Sequence, residues 1–282
     1  MTRYRHLITD DNRKWWTLAA MCFALFMVML DNTVVNVALP SIQRDLGASI
    51  SQLEWVVNGY TLTFAVLIAT GGRLGDIFGR RLMFLAGVVI FAITSATAGL
   101  AQDPAMLIGS RAIQGVGGAL MLPATLSIIT HAFPVSERGK AIGMWAGVSA
   151  LALSIGPVVG GFLTEYVTWR AIFFINLPVA VAAVIVTVFA VGESRDETVD
   201  RRVDYPGVVT LTAGLTAIVL ALIEGNSWGW GSTETISLLT GGALALVAFV
   251  AIELRSPAPM VEFALFKTRQ LIGATSVAFL IT

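Results

Sequence analysis

The chain has 282 residues, 56% hydrophobic and only 13% charged, and its 18 basic and 18 acidic side chains cancel. A soluble domain of this length does not carry so apolar a composition, so the chain reads as an all-α protein that crosses a bilayer many times. A lone cysteine (Cys22), two distant histidines (His6 and His131) and the lack of any P-loop, HExxH or GxSxG stretch leave no disulfide framework, metal site, nucleotide hydrolysis or membrane protease to argue for; no enzyme, cofactor or nucleic-acid partner is expected.

Bases precede the first apolar stretch and no A-x-A cleavage site follows, so the N-terminus reads as an uncleaved first span. A crossing helix needs ~20 apolar residues. Eight spans are predicted, at 16–39, 53–71, 82–101, 105–130, 141–166, 171–191, 207–224 and 235–254. A ninth begins near Leu271 and stops at Thr282; such a segment rises only ~18 Å, too short to cross. The expected organisation is an N-terminal segment (1–15), a six-helix bundle (16–191), a linker (192–206), two additional helices (207–254), a second linker (255–270) and the truncated start of a further bundle (271–282).

Mapping the bases by position gives the expected topology. With the N-terminus on the cytoplasmic side, fifteen of the 18 fall in cytoplasmic segments. Only Arg44 and Arg170 fall outside, and Arg111 falls within a span. Positive residues concentrate on the cytoplasmic side, and one missed span would scramble this bias.

Helix 1 carries LDNTVVNVALP, which places Asp31 nine residues before Pro40, ~13 Å inside the outer boundary. A carboxylate that deep is costly and is a functional candidate; the plain alternative is an acid that only ties helices together. Residues 72–82 read GRLGDIFGRRL, a polar knot between two apolar runs. Gly72, Gly75 and Gly79 allow a tight turn, and Asp76 faces both Arg80 and Arg81 across it. Its arginines put the knot on the cytoplasmic surface. Helix 4 carries RAIQGVGGALMLP, with Arg111 seven residues past Pro104, ~10 Å from the same outer boundary as Asp31. Gln114 and Gly118 share its face. Asp31 and Arg111 are therefore expected to meet. Arginine keeps its proton in essentially any site, so Asp31 is the better proton carrier. A nearby arginine favours the charged form of a carboxyl and unpaired burial the neutral form, so coupling needs a pair that tightens and loosens.

Helix 5 carries ALSIGPVVGG, in which Ala152, Gly156 and Gly160 form a small stripe for close helix packing. Pro157, followed by Gly160 and Gly161, bends the helix. Helix 6 begins WRAIFFINLPVA, where Asn176 and Pro178 suggest a local break or a cavity-lining amide, and Trp169 an interfacial anchor. Asn36, Asn58, Tyr60, Gln114 and Trp145, with Phe64, Met27, Met29 and Met121, are candidates to line a substrate cavity, against the plain reading that they face lipid or neighbours. Residues 71–84 also align without gaps on residues 160–173. Three spans repeated in inverted orientation would produce that match, as would chance similarity among apolar segments.

The stretch G-x-L-x-D-x-x-G-R-R resembles the signature loop of the major facilitator superfamily, with Ile77 standing where the family usually has a base. GPVVGG resembles the family's exporter motif, with Ala152 where glycine is frequent. Together with LDNTVVNVALP, RAIQGVGGA and WRAIFFINLP, and with two further spans after helix 6, the chain is similar to the fourteen-helix drug:proton antiporter branch, EmrB/QacA-type. The resemblance implies a multi-pass protein of the plasma (inner) membrane that exports lipophilic or cationic small molecules in exchange for protons. It associates Asp31 and Arg111 with coupling, and Gly72, Asp76, Gly79, Arg80 and Arg81 with gating. It also implies a missing C-terminal bundle or second chain as partner, so that this chain is expected to be a truncated portion, inactive alone. The competing reading is a non-transporting remnant, scaffold or sensor that reuses the fold.

Overall fold

The computed structural model describes residues 8–195, 204–256 and 259. It divides into two compact units, 1–199 and 200–282. All regular structure among the described residues is helical, and eight helices there are long and apolar enough to cross a membrane. The expected short ninth span lies outside the described residues.

The first unit holds α1 (Arg13–Leu46), α2 (Ile50–Phe78), α3 (Arg80–Gly99), α4 (Pro104–Ala132), α5 (Val135–Tyr166), α6 (Ala171–Phe174) and α7 (Asn176–Ala190). Helix starts are set by local chemistry. Ser49 and Gln52 form a reciprocal capping box at α2, and Asp103 accepts from the Met106 amide ahead of α4, with Pro104 in the first turn; each such cap contributes ~1 kcal/mol. The sixth span is broken at Ile175. Pro178 has no N–H to offer the Phe174 carbonyl, so the ladder is interrupted there and the Asn176 side chain turns into the bundle.

Three boundaries differ from the sequence reading. The 72–82 stretch is not a loop: α2 runs to Phe78, α3 starts at Arg80, and Gly79 alone makes the turn at φ 123. Helix α1 continues through Pro40 to Leu46 and ends on a left-handed Gly47. Helix α5 starts at Val135 rather than Ala141. In α1 and α5 the apolar run is shorter than the helix, because polar turns extend it beyond the hydrophobic stretch.

In a bilayer the apolar surroundings resemble the protein interior, so close packing through small residues takes over from hydrophobic burial. A Cβ on Gly71 would lie 2.1 Å from the Ala119 carbonyl oxygen, so α2 and α4 approach at backbone distance. Gly87 and Gly117 do the same between α3 and α4. Gly156 and Gly160 admit Thr33 and Val34 of α1, which docks α5. Two buried apolar clusters result. One includes Met21, Met27, Val28, Phe84, Phe91 and Met121, and the other includes Leu30, Val34, Ile42, Leu107 and Phe173.

The second unit is an antiparallel pair, α8 (Tyr205–Trp228) and α9 (Thr233–Glu253), joined through Gly229. Gly214 and Gly242 bring the two backbones together. Glu253, in the last turn of α9, is buried, with Asp31 and Arg111 a third buried charged side chain among the described residues and one the sequence reading passed over.

Candidate functional site

Asp31 falls at the seam between the two apolar clusters of the first unit, with Val28 in one and Leu30 in the other. It is fully buried, and Arg111 of α4 is 1% exposed. The Arg111 Nη1 donates to Asp31 Oδ2 at 2.5 Å and to Gln114 Oε1 at 2.7 Å, and its Nε donates to the Val56 carbonyl of α2 at 3.2 Å. The other carboxylate oxygen, Oδ1, accepts from Gln114 Nε2 at 3.1 Å and from Asn176 Nδ2 at 2.9 Å. Asn176 Nδ2 also reaches Ser95 Oγ at 3.0 Å, and Ser95 in turn donates to the Phe173 carbonyl at 2.8 Å. One carboxylate thus gathers three donors from α4 and α7. A buried ion pair needs such extra hydrogen bonds to offset the loss of water from both charges.

The sequence folds this way for a local reason. Arg111, Gly115 and Gly118 lie at i, i+4 and i+7 on α4, on one face. A Cβ on Gly115 would meet Thr63 and the Tyr60 carbonyl, and one on Gly118 would meet Phe64 and the Tyr60 hydroxyl. The glycines after the arginine therefore let α2 close over it. Thr63 Oγ1 fastens the approach by donating to the Ala112 carbonyl at 2.7 Å. The Tyr60 ring then lies with its centroid 4.4 Å from the Arg111 guanidinium carbon.

At the far end of α2, Asp76 pairs with Arg80 at 2.9 Å. It does not share itself with Arg81, whose Nη2 donates to the Val188 carbonyl of α7 at 3.1 Å. The acid that serves Arg81 is one the sequence reading missed. Glu193 accepts from the backbone amides of Arg81 (3.0 Å) and Leu82 (3.2 Å), and so caps α3. Its only sequence signal is an acid directly after the apolar run of span six. Gly79 is required here twice over: its φ is 123, and a Cβ would lie 2.6 Å from the Glu193 carboxyl. Gly72 sits in α2 opposite Pro123, with space for a side chain.

The remaining candidates divide. Gln114 and Tyr60 are buried in the ion-pair network, so neither is the wall of an open cavity in this structure. Met27 and Met121 are core residues. Asn36 is exposed on α1 and donates to the Asn32 carbonyl. Asn58 is half-buried on α2, and Trp145 packs half-buried against the first apolar cluster. Helix α5 continues through Pro157, with Gly156 and Gly160 turned to α1 and Gly161 meeting open space. Trp169 is buried, and its Nε1 donates to Asp45 at 3.0 Å. Arg170, aligned by the internal repeat with Arg81, pairs with the same Asp45 at 2.6 Å.

Eight helices long and apolar enough to cross a membrane, with a charge pair sealed in the core of the first unit, mark a polytopic membrane protein. The chain belongs to the Major Facilitator Superfamily, whose profile matches residues 21–281. It is 40% identical over 263 residues to the tetracenomycin C resistance and export protein of Streptomyces glaucescens, covering 93% of this chain and 49% of that one. It is 43% identical over 253 residues to the puromycin resistance protein pur8 of Streptomyces alboniger, covering 89% and 50%. The chain thus spans about half the length of the curated relatives it matches. A solved peptide transporter in complex with sulfate shares the fold at TM-score 0.62 and 16% identity, covering 89% of this chain and 57% of that one. The family is one of transporters, not enzymes.

Proposed function

We propose that this chain provides the N-terminal bundle of an exporter that moves small amphipathic molecules out of the cell in exchange for protons. It would sit in the plasma (inner) membrane with its N-terminus in the cytoplasm. The observation that carries the reading is the Asp31–Arg111 pair between α1 and α4, sealed from solvent and tied to α2 and α7. The names of its relatives, resistance and export proteins, support efflux.

The chemistry follows from what each group can do. Arg111 cannot release its proton, so the exchangeable proton belongs to Asp31. Protonation at Asp31 removes the charge that holds Arg111 Nη1, while the Val56 carbonyl and the Gln114 oxygen still accept from the guanidinium. The bond between α1 and α4 then weakens and the two helices are free to shift. Deprotonation restores it. Alternating access converts such a local change into rocking of one bundle against another, so the partner is a second bundle in the same or another chain. The Asp76–Arg80 pair and the Glu193 cap at the Gly79 turn are the gating elements on the cytoplasmic face. Gly156 and Pro157, where α5 packs on Thr33 of α1, shape the gate beside the ion pair.

The test is dye uptake into everted vesicles that hold this chain joined to a second half of the length its relatives have. Uphill movement of a lipophilic cationic dye, collapsing on addition of an uncoupler, is the expected result. Dye movement that ignores the uncoupler would overturn proton coupling.

A further inference from the structure

The ion pair has a neighbour that proton exchange, as argued from Asp31 and Arg111, leaves without a task. Tyr60 of α2 is 2% exposed. Its ring lies over the Arg111 guanidinium at 4.4 Å, stacks on Phe64 at 5.9 Å and meets Phe91 of α3 edge-on at 6.4 Å. Its hydroxyl is buried without a hydrogen bond of ordinary geometry, with the Asn32 side chain beside it. What the packing fixes is the ring face, clamped by Phe64 and Phe91 and seated against Gly118.

We infer that Tyr60 is a positioning residue that holds the Arg111 cation through its ring whenever Asp31 is neutral. The inference rests on the proton-exchange reading above. A lone guanidinium in an apolar core is costly. A ring face offers it an electrostatic partner that survives protonation of the carboxylate. While Asp31 is charged, the carboxylate dominates and the ring adds little; once Asp31 is neutral, the ring joins the Val56 carbonyl and the Gln114 oxygen as what still holds the cation. Tyr60 thereby makes the protonated state of Asp31 more accessible. The charged groups facing this point are Asp31 on α1 and Arg111 on α4; α3 contributes Phe91 and Ser95 and α7 contributes Asn176, none of them charged.

The experiment follows the carboxyl directly. Infrared difference titration of the purified chain in lipid nanodiscs, with Asp31→Asn as the reference, reads Asp31 protonation without any transport assay. Removing the ring in Tyr60→Leu is expected to move the Asp31 midpoint to lower pH by up to about 1.5 units, the size of a desolvated cation–π contact. Tyr60→Phe keeps the ring and leaves the midpoint in place. Fluorinated phenylalanines at position 60 keep the volume, and so the fold, while draining the ring; the midpoint is expected to fall step by step with fluorination. A midpoint unmoved by Tyr60→Leu and flat across the fluorinated series overturns the assignment of Tyr60 alone. A parent chain in which Asp31 shows no titration at all overturns the proton-exchange reading with it.

Discussion

Removing one charge of the Asp31–Arg111 pair should cost far more than removing both. Arg111 is 1% exposed and Asp31 is fully buried, so neither reaches water. In Asp31→Asn the amide nitrogen or oxygen must face three donors, from Arg111, Gln114 and Asn176, where the carboxylate accepted all of them. Arg111 cannot shed its charge. Breaking a buried pair in this way costs about 3–5 kcal/mol, a factor of a hundred to a few thousand in the folding equilibrium. The reverse single change, Arg111→Gln, should cost less, because Asp31 can take up a proton and leave no stranded charge. The double variant, Asp31→Asn with Arg111→Gln, removes both charges and should recover most of the loss. Reversible unfolding in mixed micelles, followed by circular dichroism, measures all three. An Asp31→Asn cost below about 1 kcal/mol, or a double variant as damaged as the sum of the singles, would refute the reasoning.

Asn176→Ala removes a neutral donor to Asp31 and should cost only about 0.6–1.7 kcal/mol in the same assay, the range of hydrogen bonds between membrane helices. Gly71→Ala drives a methyl group into the Ala119 carbonyl and should destabilise by about 1–3 kcal/mol or prevent accumulation. Gly161→Ala, which meets nothing within 4 Å, should leave the midpoint unchanged or slightly raised; equal effects of the two would contradict the packing argument. Glu193→Ala uncaps α3 at a cost of about 1–2 kcal/mol, visible as faster hydrogen exchange at the Arg81 and Leu82 amides. Unchanged exchange there would remove Glu193 from the turn.

The spans and the central pair were legible because a bilayer leaves few choices: apolar length sets the helices, and a charge within one needs a partner. Equal depth was enough to bring Asp31 and Arg111 together, and the break near Asn176 followed from Pro178. Other features lay beyond the pattern. Helix ends such as Leu46 and Val135 are polar turns past the hydrophobic run, so hydropathy cannot find them. Tyr60 reads as a cavity aromatic until the Gly115 and Gly118 packing turns its ring onto Arg111. Glu193 is distant in sequence from the turn it caps, and only tertiary packing makes it the partner of α3. Asp76 near the end of α2 meets Arg80, the first residue of α3, across the Gly79 turn, while Arg81 turns to the Val188 carbonyl of α7.

The most direct measurement compares two modes of movement by this chain joined to a second bundle, as in the proposed exporter, reconstituted in liposomes with Asp31 intact or as Asp31→Asn. Exchange of dye across the membrane without a pH gradient needs binding and rocking but no net proton transfer. Accumulation driven by a pH gradient needs the proton on residue 31. With asparagine at that position, exchange should persist within a few-fold while gradient-driven accumulation disappears. Gradient-driven accumulation that continues at the parent level would contradict the assignment of Asp31 as the proton carrier.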